Sequence, residues 1–148
     1  MVNRVRRDRW LKQMKKKLKP KITVFHCIGA ISNCESLPVP YKDNFKLKSV
    51  KMACSSMVKD AFLLRAFEAG ADAVIVFVCP EKQCRYVEGN IRAKKRVNWV
   101  KNLLEEIEIG GKRLSIHNIE SGDIEAAVHI IRQVLADINE LGPNPARQ

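Results

Sequence analysis

The sequence predicts an α/β fold, a small flavodoxin-like three-layer sandwich with a mostly parallel sheet. Two observations support this: strand patterns alternate with helix patterns along residues 22–141, and residues 73–79 (AVIVFVC) are continuously apolar and β-branched. A strand buried on both faces of a parallel sheet has such a composition. Alternating strands and helices also favour right-handed crossover connections.

Four strands and three helices are predicted beyond residue 21. The strands are residues 22–27, 46–53, 73–79 and 114–118. The helices cover about residues 58–69, 89–107 and 123–141. Ser55 or Ser56 is expected to cap the first helix, which Gly70 ends, and Ile91 is expected to face inward from the second. Asp123 is expected to open the third.

The net charge of +11 is concentrated at the N-terminus. Residues 1–21 contain ten Lys or Arg and one acid, whereas the remaining residues contain 17 basic and 15 acidic side chains. We therefore predict a basic N-terminal arm, residues 1–21, and one α/β domain, residues 22–148. The arm is either a basic amphipathic helix on a partner or a solvated extension. Because the domain is nearly neutral, nucleic acid is not the expected partner.

No apolar run approaches the ~20 residues needed to span a membrane, and no signal-peptide pattern follows the basic arm. We therefore expect no membrane span and a cytoplasmic location. No nucleophile elbow, phosphate loop or HExxH motif occurs, so no catalysis by the chain itself is expected.

Five cysteines cluster near the predicted strand ends. Cys27 closes the first strand, Cys54 follows the second, Cys79 closes the third, and Cys34 and Cys84 lie in the loops that follow two of them. Since the carboxyl ends of parallel strands share one edge, the five thiols should converge there. An odd number of cysteines in a reducing compartment favours metal or redox chemistry over disulfides.

Thiolates suit both zinc and iron–sulfur clusters. The paired C-x2-4-C knuckles of structural zinc sites are absent, and so is the C-x-x-C of thioredoxin-like proteins. The spacing Cys79-x4-Cys84 is compatible with plant-type 2Fe-2S sites, although their following C-x2-C is missing.

Several blocks of the sequence resemble one known family. They are Met52 with Cys54-Ser55, AFEAGAD at 66–72, Cys79-x4-Cys84-Arg85-Tyr86, GN-x-x-A-x-KRV at 89–97, LLEE at 103–106 and LGP at 141–143. Over about residues 21–143 the chain resembles the delta, iron–sulfur subunit of the methyl-viologen-reducing hydrogenase.

The resemblance implies a 2Fe-2S cluster and an electron-relay role without substrate chemistry. The expected neighbour is a heterodisulfide-reductase-A-like flavoprotein that performs electron bifurcation in anaerobes. The other partner would be a hydrogenase, a formate dehydrogenase or a methylene-tetrahydrofolate reductase. The alternative function is a cluster-free or zinc-stabilised scaffold or binding module.

The ligands implied by the resemblance are Cys27, Cys54, Cys79 and Cys84. The family's N-terminal group has two adjacent cysteines and a third three residues on, but here His26 replaces the first and Ala30 stands in place of the third. Cys34 is therefore an alternative fourth ligand. A Rieske-like role for His26 is a further option, although Rieske sites use two histidines and the side chain of His26 should point away from that of Cys27.

Overall fold

The computed structural model describes residues 19–33, 37, 45–80 and 89–146. The strands are β1 (Lys21–Cys27), β2 (Lys46–Met52), β3 (Ala73–Val78) and β4 (Leu114–Asn118). The helices are α1 (Asp60–Glu68), α2 (Gly89–Glu106) and α3 (Ile124–Leu141), with short 3₁₀ helices at Ser55–Met57 and Gly111–Arg113. The strands form one parallel sheet in the order β2-β1-β3-β4. The predicted α/β fold with a mostly parallel sheet is confirmed.

Most of the predicted basic arm lies outside the described residues, and the division of the chain at residue 21 stays a prediction. Across the ranges that the structure describes, no helix has both the length and the apolar character needed to cross a membrane.

Strand β3 is the centre of the molecule, with every residue buried. Val74, Val76 and Val78 pack with α1 and α2 on one face, and Ile75 and Phe77 pack with α3 on the other. Each such side chain stabilises the fold by about 1.5–3 kcal/mol. This two-sided burial explains why the strand has no polar positions.

Helix α1 begins two residues later than the sequence predicted. Ser55 and Ser56 do not cap it, because they belong to a 3₁₀ helix whose N-cap is Cys54. The extended backbone of Val58 and Lys59 then separates this 3₁₀ helix from α1. The predicted serine cap is therefore wrong: the N-cap of α1 is Lys59, whose side chain makes no capping hydrogen bond, and Cys54 caps only the 3₁₀ helix.

Helix α2 buries a stripe of residues that excludes Ile91. Ala93, Val97, Val100 and Leu104 are buried, whereas Ile91 is 46% exposed. Ile91 lies two residues before Ala93, which places it about 200° around the helix from the buried stripe. Its predicted inward orientation is wrong.

Asp72 links the elements at the edge of the sheet that lies opposite the cysteines. Its carboxylate accepts hydrogen bonds from the backbone N–H groups of Lys21 and Asn144, both at 2.8 Å. The buried guanidinium of Arg113 donates to the carbonyl oxygens of Asp72, at 3.1 Å, and Gly142, at 2.9 Å. This network joins the starts of β1 and β3 to the end of α3.

His117 on β4 is a partly buried imidazole beside the ring of Phe77, with 6.4 Å between the ring centroids. Its Nε2 is buried and has no hydrogen-bond partner among the described residues. Burial lowers the pKa of His117 below the usual 6.5, and the charge of Lys101 lowers it further.

This lowered pKa predicts a loss of stability in mild acid. The folded state favours the neutral imidazole, so its stability is complete above the unfolded pKa of 6.5 and falls as the pH drops towards the lower folded pKa. Between about pH 7.5 and 5 we expect the urea midpoint of His117→Gln to change less than that of the wild type. His129→Gln, on an exposed position of α3, is the matched control and should keep the wild-type slope. Equal slopes for His117→Gln and wild type would contradict the expectation.

Candidate metal centre

Two cysteine sulfurs meet at the carboxyl ends of neighbouring strands. Cys27 is the last residue of β1 and Cys79 directly follows β3, which pairs with β1 in parallel. Their Sγ atoms are 3.6 Å apart, and the two residues are 3% and 4% exposed. The strand order therefore brings together two thiols that are 52 residues apart in sequence.

The separation of the two sulfurs suits a shared metal ion. It is much longer than a disulfide bond of about 2.05 Å, and both cysteines are free thiols. Two thiolates on one tetrahedral ion, each about 2.3 Å from it, lie about 3.8 Å apart. The Cys27–Cys79 pair therefore fits two corners of a tetrahedral thiolate site.

Gly29 lies against this pair of sulfurs and has no side chain to contact them. A Cβ atom at this position would lie 3.5 Å from Cys79 Sγ and 3.7 Å from Cys27 Sγ. The backbone turns sharply here, since the N–H groups of Ala30 and Ile31 both donate to the carbonyl oxygen of Cys27. A larger side chain would fill the volume that a metal group needs, so glycine at this position fits a thiolate site.

Cys54 lies at the same edge of the sheet, just after β2, and is 5% exposed. Its Sγ accepts hydrogen bonds from the Ser56 hydroxyl at 3.2 Å and from the Ser56 N–H at 3.5 Å. Cys27 Sγ is 4.0 Å from the carbonyl oxygen of Ala53, so the Cys54 loop adjoins the sulfur pair. Donors of this type stabilise negative charge on a thiolate.

Arg96 fixes the Cys54 loop to helix α2. Its Nη1 donates to the carbonyl oxygens of Ser56 and Val58, the latter at 2.8 Å. The loop's own backbone hydrogen bonds, from Met57 to Cys54 and from Val58 to Ser55, stay within it, and Arg96 adds hydrogen bonds that join it to α2. In the sequence Arg96 stands out only as part of the block at 89–97, and this contact was missed.

Two asparagines hold the backbone at Cys79. The carbonyl oxygen of Cys79 accepts from Nδ2 of Asn118 at 2.8 Å and of Asn90 at 3.2 Å. Asn90 Nδ2 also donates to the carbonyl oxygen of Pro80 at 3.0 Å, and the residue is fully buried. Asn118 was missed in the sequence, where its place at the carboxyl end of a strand was the available signal.

The structure describes three of the five predicted ligands. The structure brings Cys27 and Cys79 together and places Cys54 at the same edge, whereas Cys34 and Cys84 lie outside the described residues. Within the described ranges, no three His, Cys, Asp or Glu side chains are grouped closely enough to hold a metal ion. His26 Nδ1 bonds the carbonyl oxygen of Ile31 at 2.7 Å, on the α3 side of the sheet.

The asparagine contacts predict how well Cys79 is protected. Asn90→Ala removes a donor from the buried carbonyl oxygen of Cys79 and from the partly buried one of Pro80, so the Cys79 segment should open more readily. The free energy of opening of this segment should fall by about 1–1.5 kcal/mol. We therefore expect iodoacetamide to alkylate Cys79 about tenfold faster in chelator-treated protein. Mass spectrometry identifies and quantifies the alkylated cysteine. Asn98→Ala, on the exposed face of α2, should leave the rate unchanged. Equal Cys79 labelling in both variants would show that Asn90 does not protect this segment.

Comparison with known proteins shows the family of the chain. The family model for the methyl-viologen-reducing hydrogenase delta subunit matches residues 22–142. The chain is 34% identical over 101 residues to the vhu iron–sulfur subunit of the F420-non-reducing hydrogenase of Methanocaldococcus jannaschii, covering 68% of this chain and 75% of that protein.

A second group of relatives is much longer. The chain is 31% identical over 128 residues to a subunit of the ferredoxin/F420H2-dependent CoB-CoM heterodisulfide reductase of Methanosarcina acetivorans, covering 84% of this chain and 16% of that protein. The corresponding protein of Methanosarcina mazei is 30% identical over the same length. Because the family model matches residues 22–142, the chain belongs to the family of the methyl-viologen-reducing hydrogenase delta subunit.

Proposed function

We propose that this chain is an electron-transfer subunit that holds a 2Fe-2S cluster and relays electrons between a heterodisulfide-reductase-type flavoprotein and a partner oxidoreductase. The observation that carries the proposal is the Cys27–Cys79 sulfur pair, 3.6 Å apart at the carboxyl edge of the sheet. When bound, such a cluster supplies a one-electron carrier whose potential depends on charge, hydrogen bonds to sulfur and solvent access.

Four thiolates would complete the site. Cys27 and Cys79 would share one iron, because their separation suits one tetrahedral centre. Cys54 and Cys84 would provide the remaining positions, with Cys34 as the alternative to Cys27 that the sequence leaves open. The space beside Gly29 and the low exposure of the described cysteines suit a cluster screened from water.

The protein's own groups would set the properties of this site. Ser56 donates two hydrogen bonds to Cys54 Sγ, which favours the more negative, reduced state. Asn90 and Asn118 fix the backbone at Cys79, and Arg96 fixes the loop that carries Cys54. These contacts limit the movement of the ligands when the charge changes.

The relatives support the choice of neighbours. Several are named as the iron–sulfur subunit of a hydrogenase. In the heterodisulfide reductases of two Methanosarcina species, a segment similar to most of this chain forms part of a longer polypeptide. A domain that occurs both on its own in a hydrogenase and within a heterodisulfide reductase polypeptide suits a carrier that works at the junction of two such enzymes.

A cluster-free scaffold is the competing function. One observation favours it: His26 and Ala30 replace cysteines of the family pattern. Such a scaffold would assemble with the same partners but would have no visible absorbance from iron. Substitution of single cysteines separates the two functions.

Under the relay proposal, Cys79→Ser should remove most of the visible absorbance and the reduced-state electron paramagnetic resonance signal of anaerobically purified protein. Cys34→Ser is the matched control and should keep both, because Cys27 already pairs with Cys79. Loss of both signals in Cys34→Ser with retention in Cys27→Ser would assign the fourth ligand to Cys34. Identical spectra for wild type and Cys79→Ser would contradict the proposal.

The Ser56 contacts predict a measurable change in reduction potential. Ser56→Ala removes the hydroxyl donor to Cys54 Sγ, so the reduced state loses about 1 kcal/mol and the potential falls by about 40 mV for one electron. Ser115→Ala, on β4 facing α3, should leave the potential unchanged. A spectroscopic redox titration measures both, and an unchanged or higher potential in Ser56→Ala would rule out this role.

A further inference from the structure

A groove of about 630 Å³ runs between helix α1 and two strands, the edge strand β2 and its inner neighbour β1. Its floor is the face of the sheet that carries Thr23, Phe25 and Val50, and its wall is the side of α1 that carries Phe62 and Ala66. Phe62 is 42% exposed although it lines this concave, mostly apolar surface.

The groove exists because α1 covers only part of the sheet. Leu63 and Phe67 of α1 pack in the core formed with β3 and α2. The described residues that follow β1, such as Ile31 and Leu37, pack in the core on the opposite face of the sheet. No described helix therefore covers the outer part of β1 and β2 on the α1 side.

The charges around the groove all have one sign. Lys21, Lys46, Lys48 and Arg65 line it, and no acidic residue among those that the structure describes does so. The side chains of these four residues form no ion pair with another described residue. Lysines on an edge strand commonly prevent strand pairing. That role does not extend to Lys21, which lies on the inner strand β1, or to Arg65, which lies on a helix.

We propose that this groove binds an acidic amphipathic segment of another polypeptide. Apolar side chains of that segment would cover Phe25, Val50 and Phe62, and Asp or Glu side chains beside them would pair with the four basic residues. A helix of this kind, with apolar residues at i, i+3, i+4 and i+7, commonly docks into an apolar groove. Complementary charge would supply orientation and a faster association rate.

Charge also argues against two other occupants. Residues 1–18 of this chain contain eight Lys or Arg and one acid, so they would bring like charge to the basic border. In a two-fold dimer the same surface of both copies meets, so the groove of one copy would face the groove of the other. The basic residues would then lie opposite basic residues and could not pair. A foreign acidic segment meets neither obstacle.

The groove is separate from the candidate metal centre. Lys21 and Lys46 are the first residues of β1 and β2, at the edge of the sheet opposite the cysteines. A partner in the groove would therefore leave the cysteine edge free for a redox partner. The proposed docking does not depend on the cluster and should survive its loss.

The first test places the photo-crosslinking residue p-benzoylphenylalanine at position 62 of the full chain, expressed in the cells that make its complex. We expect crosslinks to a segment of another polypeptide in which apolar residues recur at helical spacing beside Asp or Glu. The crosslink should persist in Cys79→Ser, even if that variant loses its iron. Crosslinks only to residues 1–18, to a second copy or to nucleic acid, or none at all, would overturn the proposal.

The second test measures the affinity of a synthetic peptide with the crosslinked sequence. The double variant Lys46→Glu/Lys48→Glu should weaken its binding at least tenfold. The control is Lys112→Glu/Arg132→Glu, which changes the net charge equally on exposed residues outside the groove. The control should change the affinity less than twofold. Arg65→Glu, on the exposed surface of α1, provides a second charge variant if the lysine pair fails to fold. Equal binding by variants inside and outside the groove would also overturn the proposal.

Discussion

The adjacency of β1 and β3 in a parallel sheet is the constraint on which the site depends. Both strands end at the same edge, so their final residues bring Cys27 and Cys79 to within 3.6 Å, sulfur to sulfur. An antiparallel pairing would put the two thiols at opposite edges of the sheet. The chemistry proposed for the chain therefore follows from strand direction and strand order before any ligand is considered.

The remainder of the fold keeps that adjacency fixed from both ends. At the cysteine edge, Asn90 and Asn118 hold the carbonyl oxygen of Cys79. At the other edge, Asp72 and Arg113 tie the starts of β1 and β3 to the end of α3. A strand held at both ends and buried on both faces cannot change register without losing a core of several kcal/mol. The thiol pair thus sits on a firmly held part of the molecule, which suits the proposed electron carrier.

The sequence was sufficient for the four strands and for the place of Cys27, Cys54 and Cys79 at one edge of the sheet, because strands that alternate with helices are expected to run parallel and to end at a shared edge. It could not indicate which two sulfurs meet, since that depends on β1 and β3 being neighbours across 52 residues. It also misplaced the start of α1, because the serines belong to a separate 3₁₀ helix capped by Cys54, and α1 begins only after the extended residues Val58 and Lys59. The outward orientation of Ile91 depends on how α2 is rotated about its own axis relative to the core, and a single sequence determines that rotation poorly.

Separate faces of the molecule would carry separate tasks, with thiolates at one edge of the sheet and a basic apolar groove near the other. The cluster is the central claim. The most direct measurement is the iron and acid-labile sulfide content of the full chain purified without oxygen, together with its visible spectrum before and after reduction. We predict about two of each per chain and an absorbance that reduction bleaches. Zinc alone, or no metal, would contradict the relay and leave the scaffold function.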